Sequence, residues 1–279
     1  MRGPGEREDL AAALVASADG GLLSWSEERD LSPSFGLSPR EVEGAALDAN
    51  LRLERYARNF SSIDAEGQAR LHRSCVLVAG CGGLGGYLIE ELARVGVGRL
   101  VVVDPDRIDA SNLNRQLLAT IGDLGAFKAE LAERRVAAIN PAVEVVPHVL
   151  RMDAANAEAL LEGVSLAADA LDSIPSRLEL EDACARMGIV LVHGAIAGHF
   201  VQVSTVLPGS RSLHRLFGEG GPSRGIETEL GNPSFTPAVA ASIQAAEIVR
   251  ILLGKPPALA GILFHLDLER MESVRLPLG

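Results

Sequence analysis

Cysteine is scarce in this chain. Only Cys75, Cys81 and Cys184 occur, in no Cys-x-x-Cys pairing, which supports neither a disulfide framework nor a thiolate zinc site. Aromatic residues are equally sparse at 4% of 279 residues, so Ala, Val, Leu and Gly must fill the core. Positive charge is short as well, with 26 Lys and Arg against 37 Asp and Glu. The resulting net charge of −11 runs against the basic face of a nucleic-acid binder, and no nucleic-acid partner is expected. The opening MRGPGEREDLAAALVASADGG lacks the apolar centre of a signal peptide, and no apolar run reads as a membrane span. A soluble, cytoplasmic protein without a membrane partner is the expectation.

What the chain does have is apolar residues, 47% of the total, enough for a sizeable core. Residues 1–50 read as an N-terminal extension of helical and irregular character, with Ser38-Pro39 marking a helix start and a further helical patch expected at 51–60. From residue 74, short apolar runs alternate with helical periods. Strands are expected near 75–79, 100–104, 143–150, 166–171 and 189–192, and helices near 84–95, 128–140, 155–162 and 176–187. Residues 200–207 alternate like an antiparallel strand, a long crossover loop spans 208–236, and a helix near 238–253 precedes final strands at 262–268 and 273–276. The predicted class is α/β: a Rossmann-like, doubly wound, mostly parallel sheet with antiparallel C-terminal strands, residues 51–279 forming one domain.

Gly80-Cys81-Gly82-Gly83-Leu84-Gly85 matches G-x-G-x-x-G between the first strand and its helix, with Asp104 closing the next strand. Glycines at 80, 82, 83 and 85 let the backbone approach a phosphate, and the helix N-terminus supplies unpaired N–H groups. Asp104 is placed to bind ribose hydroxyls. This pattern alone does not separate NAD, FAD and ATP.

The stretch Ser111-Asn112-Leu113-Asn114-Arg115-Gln116, followed by Lys128 at a helix start, is the discriminating feature. Cations and amides gathered beside the first phosphate site suit a triphosphate. Asp172, at the end of the fourth strand, suits Mg²⁺, which takes one or two carboxylates plus phosphate oxygens. Ser111 and Ser173 flank these groups and complete the expected nucleotide-binding set. Each residue also has a plainer reading. Lys128 could be a solvated helix lysine, Arg115 a partner of Asp106 or Asp109, and Asp172 a cap for the following helix.

The ordered motifs Arg-Tyr-x-Arg at 55–58, Gly-x-Gly-Gly-x-Gly, Asp-x-Asp, Ser-Asn-Leu-x-Arg-Gln, Lys128, Asn-Pro at 140–141 and Asp172 resemble the ThiF/MoeB/HesA family of ubiquitin-activating-type adenylyltransferases. That resemblance runs from about residue 55 onward. It implies ATP- and Mg²⁺-dependent activation of a small β-grasp sulfur carrier ending in Gly-Gly, for pterin-cofactor or thiamine biosynthesis. By motif position it further implies that Asp104 binds ribose, that Asn112, Arg115 and Lys128 contact phosphates, and that Asp172 holds Mg²⁺. Arg58 would reach the ATP of a second subunit in a homodimer, and the carrier tail would pass under the 208–236 loop. The catalytic set is then Arg58, Arg115, Lys128 and Asp172. No general base is needed, since a carboxylate is already ionised at neutral pH. Packing is expected for His193, His199, His214 and His265.

Many relatives carry two zinc-binding Cys-x-x-Cys pairs; here Ser212-Leu213-His214-Arg215 stands at the first, so no zinc is expected. All three cysteines read as small core residues, Cys81 being the one whose thiol a helix N-terminus could acidify. A tRNA-modifying dehydratase of the same superfamily and an inactive Rossmann-type scaffold subunit are the alternatives. An oxidoreductase ranks below both.

Overall fold

A computed structural model describes residues 4–218 and 225–278. The N-terminal part comprises α1 (Pro4–Ser17), β1 (Leu22–Leu23), α2 (Trp25–Phe35), α3 (Pro39–Asp48) and β2 (Arg52–Leu53). The alternating part follows as α4 (Ala65–Arg73), β3 (Cys75–Ala79), α5 (Gly83–Val95), β4 (Arg99–Val103), α6 (Lys128–Ile139) and β5 (Glu144–His148). It continues with α7 (Ala157–Leu160), β6 (Leu166–Asp169), α8 (Ile174–Met187) and β7 (Leu191–Ala197). The chain closes with β8 (Phe200–Val206), α9 (Ser212–Phe217), α10 (Glu227–Leu230), α11 (Phe235–Leu252), β9 (Ile262–Asp267) and β10 (Glu272–Pro277).

Eight strands form one sheet in the order β10-β9-β8-β7-β6-β3-β4-β5. The five from β5 to β7 are parallel, and β8, β9 and β10 add antiparallel. Successive side chains along β3 and β4 alternate between two apolar layers. Val76, Val78, Leu100 and Val102 pack with Leu88, Val136 and Ile248 from α5, α6 and α11, whereas Leu77, Val101 and Val103 pack with Leu160, Leu180 and Leu213 from α7, α8 and α9. Strand order reverses between β3 and β6, and the crevice at their carboxyl ends is where such sheets bind ligands.

Three expectations need correction. Residues 51–60 form no α-helix: β2 pairs with β1, and a short 3₁₀ helix spans Glu54–Tyr56. Leu53 and Tyr56 are drawn into an apolar cluster with Leu14, Leu23 and Val42 of the extension, which a continuing helix would prevent. The 208–236 segment is not all loop, since it contains α9 and α10; residues 219–224 of it lie outside those described. Finally, α11 is long and apolar enough to cross a membrane by length and composition alone. Its Ala240, Ala241 and Ile248 instead join the core against the sheet.

Candidate active site

The glycine loop is tight because two contacts forbid a side chain. Gly80 has φ +96°, and a Cβ there would stand 2.5 Å from the Ala170 carbonyl oxygen. At Gly85 a Cβ would stand 1.8 Å from the Gly80 carbonyl oxygen, so α5 leaves the loop at once. Gly82 occupies the N-cap without any side-chain bond, leaving the first amides of α5 facing a cavity of about 860 Å³. That cavity lies over the ends of β3, β4, β6 and β7, and Gly80, Gly82, Asp104, Asp172 and Gly194 are among its lining residues.

Asp104 is buried and tethered. Its Oδ2 accepts the Cys81 N–H at 2.8 Å and its Oδ1 accepts the Asp106 N–H at 2.9 Å, which locks the glycine loop to the end of β4. Burial pushes its carboxyl up, while Lys128 and these two N–H donors oppose the rise. Each oxygen retains a lone pair for a ligand hydroxyl.

The polar stretch folds on itself before it serves the cavity. Asp109 accepts the Ser111 N–H at 2.9 Å, and Asn112 Oδ1 accepts the Asp109 N–H at 3.1 Å, which turns Asn112 inward. Arg115 donates to the Ser111 carbonyl at 3.1 Å and to Asn114 Oδ1 at 2.8 Å, and pairs with neither Asp106 nor Asp109. Asp106 instead takes Lys128 Nζ at 2.9 Å, and that lysine side chain is only 9% exposed, unlike a solvated helix lysine. Gln116 is buried with Oε1 unpartnered at the cavity wall, an acceptor awaiting a donor.

Across the cavity Asp172 is exposed and has no hydrogen bond or ion pair among the described residues. It does not cap α8, whose N-cap Ser173 also makes no side-chain bond. A lone unpartnered carboxylate beside a phosphate cradle matches the donor set of Mg²⁺. Ser173 lines the cavity; Ser111, Gly85 and Arg58 do not. Gly85 is buried beneath the loop, and Arg58 is exposed on the turn after Tyr56, so the single chain does not bring it to this site.

The histidines pack or pair. His199 stacks on Phe235 with centroids 5.4 Å apart, His265 on Phe200 at 5.5 Å, and His214 Nε2 lies 2.9 Å from Asp182. His193 is fully buried beside Asp169. The thiol of Cys81 is pushed well up by burial and by Asp104, against Lys128, so the acidified thiol considered from sequence is not what the fold builds. Sequence reasoning missed Asp169 and Arg177, which sit beneath the Asp172 corner, and the Leu150 and Met152 wall of the cavity. Two acids three residues apart in Asp169-Ala-Leu-Asp172 were the available signal.

A Rossmann-like sheet that sets amides and cations over a glycine loop defines a nucleotide-binding α/β domain. The ThiF family profile matches residues 54–278, and the chain belongs to the ThiF family. It is 39% identical over 237 residues to the SAMP-activating enzyme E1 of Haloferax volcanii, covering 83% of this chain and 87% of that protein. It is 38% identical over 225 residues to the sulfur carrier protein adenylyltransferase of Thermus thermophilus, covering 77% and 83%. Among solved structures, E. coli MccB with ATP superposes with a TM-score of 0.69 at 20% identity, over 81% of this chain and 72% of that one, which supports the fold.

Proposed function

We propose that this ThiF-family chain is an ATP-dependent adenylyltransferase that activates the C-terminal glycine carboxylate of a small ubiquitin-like sulfur carrier. A carboxylate oxygen attacks the α-phosphorus of ATP, the bond to the bridging oxygen of the β-phosphate breaks, and pyrophosphate leaves with that electron pair, forming an acyl-adenylate. The observation that carries the reading is the convergence of Arg115, Gln116, Lys128 and an unpartnered Asp172 on one cavity above the N-terminus of α5, in a chain whose relatives are named adenylyltransferases.

The residues do their work by position and charge. Asp104 offers its spare lone pairs to ribose hydroxyls. Arg115 is already braced by Ser111 and Asn114, and Lys128, held beside Asp106, can share its remaining N–H donors with phosphate oxygens. Asn112 completes the amide side of the cradle. Asp172 would hold Mg²⁺, which supplies positive charge to the phosphates. Arg58 lies outside the cavity of its own chain, and in our reading it serves the site of a second copy in a homodimer. Cytoplasmic placement belongs to the same proposal.

The test is ATP–pyrophosphate exchange in the presence of a carrier ending in Gly-Gly. Exchange that persists at the wild-type rate in the Arg115→Ala/Asp172→Ala double variant would defeat the site assignment.

A further inference from the structure

We propose that Asp169, His193 and Arg177 form a buried clamp on the main chain at Leu171 that positions Asp172; the inference rests on Asp172 being the metal-holding carboxylate of the reading above. The need for a clamp is geometric. Strand β6 ends at Asp169, the Ala170 N–H still bonds to Ala79 O at 2.9 Å, and helix α8 does not begin until Ile174. Between them Leu171, Asp172 and Ser173 have no ladder partner, yet Asp172 must hold one place at the rim of the cavity.

Side chains replace the missing ladder. Asp169 Oδ1 accepts the Leu171 N–H at 2.9 Å. Arg177 donates to the Leu171 carbonyl through Nε at 3.2 Å and also through Nη2. The peptide groups on both sides of Leu171 are therefore held, one by an acceptor and one by a fork of donors, and Asp172 is the next residue along. Asp169 is held in turn: its Oδ2 lies 2.6 Å from His193 Nδ1 and 3.8 Å from Arg177 Nε. Facing a carboxylate, Nδ1 is the nitrogen that carries the imidazole proton. Asp169 and His193 are fully buried, and Phe217 covers the group, with its ring centroid 5.7 Å from the Arg177 guanidinium and 5.8 Å from the His193 ring. Burying such polar groups is costly, and replacing a buried ion pair by apolar groups of equal volume is often neutral or stabilising. Their use here is orientation. Asp169 and His193 are positioning residues that act through the main chain; Arg177 holds the Leu171 carbonyl while also lining the cavity.

The test uses the whole 279-residue chain without carrier. Two quantities are read: amide hydrogen exchange of the 166–176 segment, and ATP affinity by calorimetry with and without Mn²⁺. His193→Leu removes the donor to Asp169. It should speed exchange at Leu171 and weaken Mn²⁺-dependent ATP binding about 10–100-fold, as loss of groups that orient a metal ligand does, with metal-free ATP binding unchanged. His193→Asn keeps an N–H donor the same number of bonds from Cα and should restore both readings. Native Leu171 protection and native Mn²⁺-ATP affinity in folded His193→Leu would overturn the proposal, as would equal losses in the Asn and Leu variants. Should His193→Leu not fold, Arg177→Lys, which cannot fork onto the Leu171 carbonyl, is read by exchange at Leu171, where native protection would overturn the proposal. Asp172→Asn separates the underlying reading: unchanged Mn²⁺-ATP affinity there overturns the metal assignment, and with it the purpose of the clamp, even where Leu171 stays protected.

Discussion

Two buried charge clusters in this molecule have opposite outcomes. Beneath the cavity, Asp169 meets Arg177, the His193 N–H and the Leu171 N–H. Complete burial pushes its carboxyl up, but those partners together hold it below the ordinary carboxylate range. Where α2 and α3 meet the turn after β2, Arg55 is shared by two acids: it lies 2.7 Å from Glu28 and 3.5 Å from Glu43, whose Oε1 also lies 3.1 Å from His72 Nδ1. There burial wins, and Glu28 is pushed up to about 7, with Arg55 opposing and Glu43 adding to the rise. Glu28 Oε1 and Arg55 Nη2 are close, yet neither makes an aligned hydrogen bond. Burial is common to both clusters. What differs is the balance: at Asp169 the Arg177 charge, with the His193 and Leu171 hydrogen bonds, outweighs desolvation, whereas at Glu28 the Arg55 charge is offset by the neighbouring Glu43 and does not.

The largest effect should follow from removing Arg55. Arg55→Leu leaves Glu28 and Glu43 buried without it and should cost about 3–5 kcal/mol in urea unfolding. A loss under about 1 kcal/mol would mean that the junction does not depend on the pair at all. At the cavity, change should appear in rate rather than stability. Arg115→Ala with Asp172→Ala should lower exchange at least ~10²–10³-fold with little shift in the urea midpoint, and a large midpoint shift would erase the contrast between the regions.

The pH dependence sharpens it further. Because the folded pKa of Glu28 is raised from 4.5 to about 7, the native state binds the extra proton between those values, and stability falls as pH rises through that window. The contribution is at most about 3–4 kcal/mol. Glu28→Gln should flatten that slope, which chemical unfolding at pH 5 and pH 8 would measure. Asp169 has the opposite sign: its contribution is complete above the ordinary aspartate pKa and is lost as pH falls through the lowered folded value. The smallest effect should be Tyr56→Phe. It removes the hydroxyl linking Glu43 at 3.1 Å to Asn140 at 2.8 Å and should cost about 1 kcal/mol, read by thermal unfolding.

Much of the fold was legible because its signals are local. The apolar run at 75–79, the glycine turn and the α5 helix period occupy adjacent residues, and a parallel strand followed by a helix leaves few topologies. Residues 51–60 misled because a helical period gives way there to pairing with β1, which lies thirty residues upstream (Leu22 with Arg52, Leu23 with Leu53). Strand β7 was expected to end near Val192 and instead runs to Ala197. Its Gly194-Ala195-Ile196-Ala197 end has little strand propensity, and pairing with β8 across the Gly198-His199 turn holds it extended.

The same divide runs through the site. Gly80, Asp104, Arg115, Lys128 and Asp172 were identified by residue type at fixed offsets from strand ends, and all five line one cavity. Which oxygen each cation meets was not legible: Lys128 takes Asp106 across 22 positions, and His193 takes Asp169 across 24. By itself the sequence determined the family, the glycine turn and the chemical character of the cavity wall, because each depends on neighbours along the chain. Tertiary structure alone decided which carboxylates are paired, which stays free and which buried acid keeps its charge. Those outcomes depend on distance and solvent exclusion between residues that only folding brings together.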